Sequence, residues 1–294
     1  MNFKNILSEI EKTDPEVYRQ LSDRRQVLKS FGSKVALAAL PFAVGSLFSN
    51  KAYGKTTDAT VNALNVILEQ EYLEYAFFRH GNNTGGLIAA ADLPGFQAIE
   101  AHKKALIAFL IATITTSLGG VAFKPNHYTD PTTNAPYVPA AYDFTAAGTY
   151  PTVFSNYGTF LMLGQVITDT GLHNINAQIG AFIGGNPTIL TEAFQVQATK
   201  AKHASYVRLM RRLIPAVSPE YPAPWITNNI PPAAAFQPYY VTEDNVEHKH
   251  VVITALPDTY NTAGTVPQVS ATAAFDEPYD ITTVMGLMKP FKLA

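Results

Sequence analysis

A chain of 294 residues that is 47% hydrophobic can bury one large core, or a core with an appendage. Only 15% of its residues are charged and the formal net charge is −2, which offers no basic stripe to nucleic acid and leaves a surface polar through Asn, Thr, Gln and Tyr. Cysteine is absent, which excludes disulfides, zinc–thiolate sites, iron–sulfur clusters, thiol catalysis and a lipid-modified N-terminal cysteine.

The first 54 residues differ in character from the rest. Ser22-Asp23-Arg24-Arg25-Gln26-Val27-Leu28-Lys29 sets paired arginines ahead of an apolar run from Val35 to Phe48, interrupted by Pro41 and Gly45. That run is shorter than the roughly 20 residues of a membrane-crossing helix. Small residues follow at Ser49, Ala52 and Gly54, where a leader is cut. The stretch resembles a twin-arginine signal, implying a periplasmic or otherwise exported protein, attached to a membrane only if the leader stays uncleaved. The alternative is a basic-flanked N-terminal anchor helix, and Asn5 to Leu21 has the pattern of a short amphipathic helix. Removing residues 1–54 deletes eight Lys/Arg and five Asp/Glu and leaves a charge of −5.

Four segments then have helical length and period. The first is expected from Asp58, as N-cap, to His80, stopping at Gly81-Asn82. A second starts after Leu93-Pro94-Gly95 and stops at Gly119-Gly120, and a third spans Tyr150 to Ile183. The fourth opens on Asn186-Pro187, cap and first turn, and ends before Pro215. Short links inside each pair and about 30 residues of Pro, Tyr, Thr and Gly between the pairs predict two antiparallel hairpins joined by one long crossover. The expected fold is all-α: a four-helix bundle of the ferritin-like connection pattern over residues 55–215. Residues 216–294 are expected to form a Pro- and Tyr-rich extension packed on it, with a strand at His250 to Leu256 and a short helix after Asp280.

Polar residues interrupt the apolar stripes at informative places. Leu64, Ile67, Glu71, Glu74 and Phe78 share one face of the first helix, so two carboxylates point inward. The second offers Ile99, Lys103, Leu106, Leu110 and Thr113, and the third Leu161, Gly164, Thr168, Gly171 and Ile175. The fourth offers Ala193, Val196, Lys200, His203, Val207 and Met210. A di-metal bundle takes a Glu from each of two helices and Glu-x-x-His from each of the others. Here Lys103 and Leu106 stand for Glu and His, Thr168 for Glu, and Lys200 precedes the retained His203. The expectation is that Lys103 and Lys200 pair with Glu71 and Glu74 in place of metal, keeping the interior near neutrality.

Glu71-Tyr72-Leu73-Glu74 with Phe77-Phe78, Ala105 to Leu110, Thr168-Asp169-Thr170-Gly171, and His203-Ala204 through Arg208 together resemble the four helices of the ferritin-like, desiccation-related family of bacterial exported proteins. Trp225-Ile226, Ala274-Phe275-Asp276-Glu277-Pro278 and Pro290-Phe291 look like its C-terminal features. The resemblance covers roughly residues 58–293 and implies Glu71 and His203 as the family's metal ligands retained here.

Other registers keep other readings open. A one-turn shift of the second helix makes Glu100 a ligand, and a rotation of the third assembles Glu71, Asp169 and His203 as a mononuclear site suited to several metals. In another reading Lys200 and Lys202 both face solvent, His102 falls off the core stripe, and His173 is expected in a helix-surface or inter-helix hydrogen bond. His248-Lys249-His250 sets two imidazoles on one side of a strand and is read as exposed. No catalytic residue is assigned and no cofactor is expected. The leading functional reading is an exported structural, stress-associated or binding protein with a degenerate metal site. The alternative is an oxidase or iron-handling enzyme using iron or manganese. A small-molecule or carbohydrate site in the aromatic-rich crossover is a third reading. The partner is not legible, though self-association into a homo-oligomer is compatible with the fold.

Overall fold

The computed structural model describes residues 57–125, 142–214, 223–259 and 264–292. The expected leader and its cleavage region lie outside these residues. Helix α1 spans Thr57–Asn83, α2 Leu93–Ala112, α3 Tyr157–Phe182 and α4 Pro187–Arg212. A single π-helical turn, Thr113–Ser117, extends α2.

Contacts between side chains fix the directions of the helices. Asn82 meets Phe96 and Arg79 meets Glu100, so α1 and α2 are antiparallel. Gln70 bonds the Ile167 carbonyl and Asn174 the Val66 carbonyl, so α1 and α3 are antiparallel too. Asn176 with Gln197, and Gln165 with Arg211, make α3 and α4 antiparallel. Helices α2 and α3 therefore run the same way, which only a long crossover allows. Residues 126–141 of that crossover fall outside the described set.

The helix boundaries show where local signals prevailed. Asn186 accepts from the Thr188 amide and Asn156 from the Thr159 amide, so α4 starts where its cap predicts and α3 starts at Tyr157 rather than Tyr150. Asp58 lies inside α1 rather than at its cap. Gly81 does not stop that helix: a Cβ there would come within 2.3 Å of the Phe160 ring, so the glycine serves close packing of α1 on α3. Phe77 stacks on Phe160 at 4.8 Å between centroids, within an aromatic core that includes Phe78, Phe96 and Phe144.

Beyond α4 the chain lays turns over the bundle. Two-residue strands β1 (Glu247–His248) and β2 (Val251–Val252) pair antiparallel, and the expected strand through Leu256 is instead a 3₁₀ turn, Ile253–Ala255. The reason is local: Lys249 and His250 both take left-handed backbone, at φ 52° and 65°, and reverse the chain. Short helices α5 (Gln268–Ala273) and α6 (Ile281–Met288) follow, the latter capped by Asp280. Phe236, Tyr240, Val284 and Phe291 are buried in the common core. Lys292 ion-pairs with Glu69 of α1, tying this segment back to the first helix.

Candidate functional site

The inward stripes of α1, α2 and α4 meet at a group of four charges. Glu71, Glu74, Lys103 and Lys200 are all buried to within 2% of full exclusion from solvent. Lys200 Nζ donates to Glu71 Oε1 and, at 2.7 Å, to Glu74 Oε1. Lys103 Nζ lies 3.1 Å from Glu71 Oε2 and pairs with Glu74 Oε2 from the other side. Each ammonium thus bridges both carboxylates, and the group carries no net charge.

Isolated charges in such a place would neutralise themselves; four that alternate in sign need not. Burial opposes the ionisation of Glu71, and the Lys103 and Lys200 ammonium groups outweigh it, holding the carboxyl below its ordinary value. Burial likewise opposes the charge of Lys200, and Glu71 and Glu74 overcome it, raising its pKa. Gly171 of α3 makes the space: a Cβ would stand 1.9 Å from Glu74 Oε1 and 2.9 Å from Lys200 Nζ.

His203 lies beside the cluster, three residues on from Lys200. Its Nε2 is 3.1 Å from His102 Nδ1, with the rings nearly parallel. Burial, then the neighbouring Lys103, keeps the His203 imidazole neutral by lowering its pKa. Leu106 is half-buried, and Thr168 turns its hydroxyl back to the Gly164 and Gln165 carbonyls of its own helix. Glu100 holds Asn82 and Arg79 at the edge of the bundle.

Asp169 does not join Glu71 and His203. It faces away, where Arg208 grips both its oxygens and the Tyr240 hydroxyl donates to Oδ2 at 2.6 Å. Arg211 donates to Gln165 in the same layer. Lys200 is buried rather than on the solvent face, whereas Lys202 is exposed. His248 and His250 do not share a strand. His248 stacks on Phe275, and the His250 side chain is fully exposed.

His173 departs most from the sequence reading. It is fully buried, with Nδ1 2.7 Å from the Glu277 carbonyl and its ring stacked on Tyr279 at 4.4 Å, so it binds the C-terminal segment instead of a helix surface. Sequence reasoning also missed Arg208, Arg211, Tyr240 and Glu243 as buried polar groups. The signal for the arginines was present: Ala204, Arg208 and Arg211 recur at helical spacing beside the main stripe of α4.

The sequence model of the ferritin-like domain family matches residues 59–212, which run from the start of α1 to the end of α4. The chain belongs to the ferritin-like family. No curated protein and no solved structure matches it. A ferritin-like di-metal centre needs carboxylates from all four helices with two histidines. The residues of this ferritin-like protein do not fit that requirement. Every oxygen of Glu71 and Glu74 is engaged by an ammonium, α2 and α4 present lysines, α3 presents Thr168, and beside the cluster stand His203 and, stacked on its outer side, the exposed His102.

Proposed function

We propose that this is an exported, non-catalytic ferritin-like protein, acting as a structural, stress-associated or binding protein with two lysines in place of a metal centre. The observation that carries the reading is the double bridging of Glu71 and Glu74 by Lys103 and Lys200. A cation entering there would have to displace both tethered ammonium groups or sit beside them against their repulsion. Support for export comes from the Arg24-Arg25 pair and the apolar run behind it, and for the desiccation-related branch from the helix motifs around Glu71, Asp169 and His203.

The test is metal content and oxygen-dependent Fe(II) oxidation of the full chain purified from iron- and manganese-supplemented medium, beside a Glu71→Gln variant. The expected result is oxidation no faster than the buffer blank and no metal that depends on Glu71. Two ions per chain, lost in Glu71→Gln, would restore the di-metal enzyme. Destination is tested separately: Arg24→Lys with Arg25→Lys is expected to retain the protein in the cytoplasm, as read by cell fractionation.

A further inference from the structure

A second polar group lies away from the bundle centre, where α3 meets the C-terminal segment. His173, Glu243 and Asp276 each present one donor atom, and these atoms lie within 4.8 Å of one another. His173 Nδ1 stands 3.4 Å from Glu243 Oε1, 3.6 Å from Asp276 Oδ1 and 2.7 Å from the Glu277 carbonyl oxygen. Donors about 2.0–2.2 Å from a common ion stand roughly 3.0–3.5 Å apart along the edges of its coordination shell. His173 Nδ1 already stands near that spacing from the two carboxylate oxygens.

Unmet bonding capacity points the same way. Glu243 is 2% exposed, yet its Oε2 has no hydrogen-bond partner, and neither has Asp276 Oδ1, the atom that faces His173. Among the described residues no lysine or arginine pairs with Glu243 or Asp276, in contrast to the bundle centre, where each carboxylate has two cations. Buried carboxyl oxygens without a partner are costly, and a divalent ion that displaces their protons would supply that partner.

We propose that His173, Glu243 and Asp276, with the Glu277 carbonyl, bind a single divalent first-row transition ion. One imidazole with carboxylate and carbonyl oxygens is a donor set that manganese, ferrous iron and zinc accept. Surrounding groups hold the donors in place. Asn176 donates to Asp276 Oδ2 at 2.6 Å, Gln197 in turn fixes Asn176, and the Glu277 amide reaches Glu243 Oε1 at 3.3 Å. In the ion-free state the Nδ1–H of His173 donates to the Glu277 carbonyl. Binding takes the neutral imidazole to its other tautomer, the proton moving to Nε2, while any proton on the two carboxyl groups leaves to solvent, and the ion occupies the vacated Nδ1 position. The ion would join α3 to residues 243 and 276, so its role is to fasten the C-terminal segment to the bundle. This site shares no residue with the four-charge cluster and does not depend on how that cluster is read.

The full chain, stripped with chelator, is dialysed against Zn²⁺ or Mn²⁺ and its bound metal counted. One ion per chain is expected, with affinity weakened at least about tenfold in Glu243→Gln and in Asp276→Asn, and unchanged in His250→Ala. No stoichiometric ion, or both carboxamide variants binding like the wild type, would overturn the proposal. Crystals of the wild type soaked in Zn²⁺ give a readout that no unfolded variant can confuse. An anomalous peak between His173, Glu243 and Asp276 supports the site. A peak only elsewhere, including beside Glu71 or His248, refutes it.

Discussion

Lys103 and Lys200 reach the same two carboxylates in different ways. Lys200 hydrogen-bonds both, whereas Lys103 approaches the Oε2 atoms without hydrogen-bond alignment. Truncating either leaves an excess buried negative charge, so Lys200→Met and Lys103→Met are each expected to lower stability in urea melts by about 3–5 kcal/mol, Lys200→Met more. Replacing all four charges at once with Leu and Met removes charge and desolvation together. That quadruple variant is expected to be neutral or roughly 1–4 kcal/mol more stable. The contribution of Glu71 has a definite sign with pH. Its folded pKa lies below the unfolded value, so its stabilisation is present above the ordinary glutamate pKa, near 4.3, and is lost as acid carries the pH down through the folded value. The two lysines were legible in the sequence because each falls on a 3–4 stripe otherwise filled with apolar residues. Glu243 was not, because it sits in a turn-rich stretch with no period, and only the tertiary fold brings it to His173.

At the level of elements, the signals that proved informative were those with a local mechanism. Asn186 followed by Pro187 starts α4 through one side-chain bond and one fixed dihedral, and Asn186→Ala is expected to lower the urea midpoint by an amount worth about 1 kcal/mol. Gly81 misled for the opposite reason: its lack of a side chain answers to Phe160 on another helix, which no local pattern reveals. Gly171 is the same kind of residue with a charged neighbour. In Gly171→Ala the new methyl would overlap the Glu74 carboxylate and press on Lys200, so the cluster has to shift. A loss of roughly 1–3 kcal/mol is expected from that crowding, measured by thermal or urea unfolding, with the far-UV spectrum still helical. Of the strand expected at His250 to Leu256 only Val251–Val252 forms: His250, with Lys249, is left-handed and makes the turn, and Ile253–Ala255 coils into a 3₁₀ turn, neither of which β-prone residues foretell.

Across the whole molecule, the bundle, its crossover and a packed C-terminal extension could be read from segment lengths, links and composition, while the particular contacts that hold residues 223–259 and 264–292 could not, since they join positions far apart in sequence. The His173 region makes that attachment sensitive to pH. Burial lowers the His173 pKa to about 4, so between there and about 6.5 the unfolded chain holds a proton that the folded one lacks, and stability falls as pH drops through that window. Burial and then the Asp276 charge raise Glu243 to about 9, so above about 4.3 the folded state holds the extra proton and stability falls as pH rises. In chelator, Glu243→Gln is therefore expected to flatten the alkaline side of the stability profile, as followed by urea melts at a series of pH values. The bundle centre differs in kind, for its counter-ions are covalent. An ion held by carboxylates exchanges with its surroundings, can be starved away, and can shuttle electrons to oxygen. An ammonium on its own helix is at a local concentration no dilution alters, and it has no second oxidation state. On the function proposed above, the interior of this bundle is assembled at translation, complete with its positive charge, and does not wait for a nutrient.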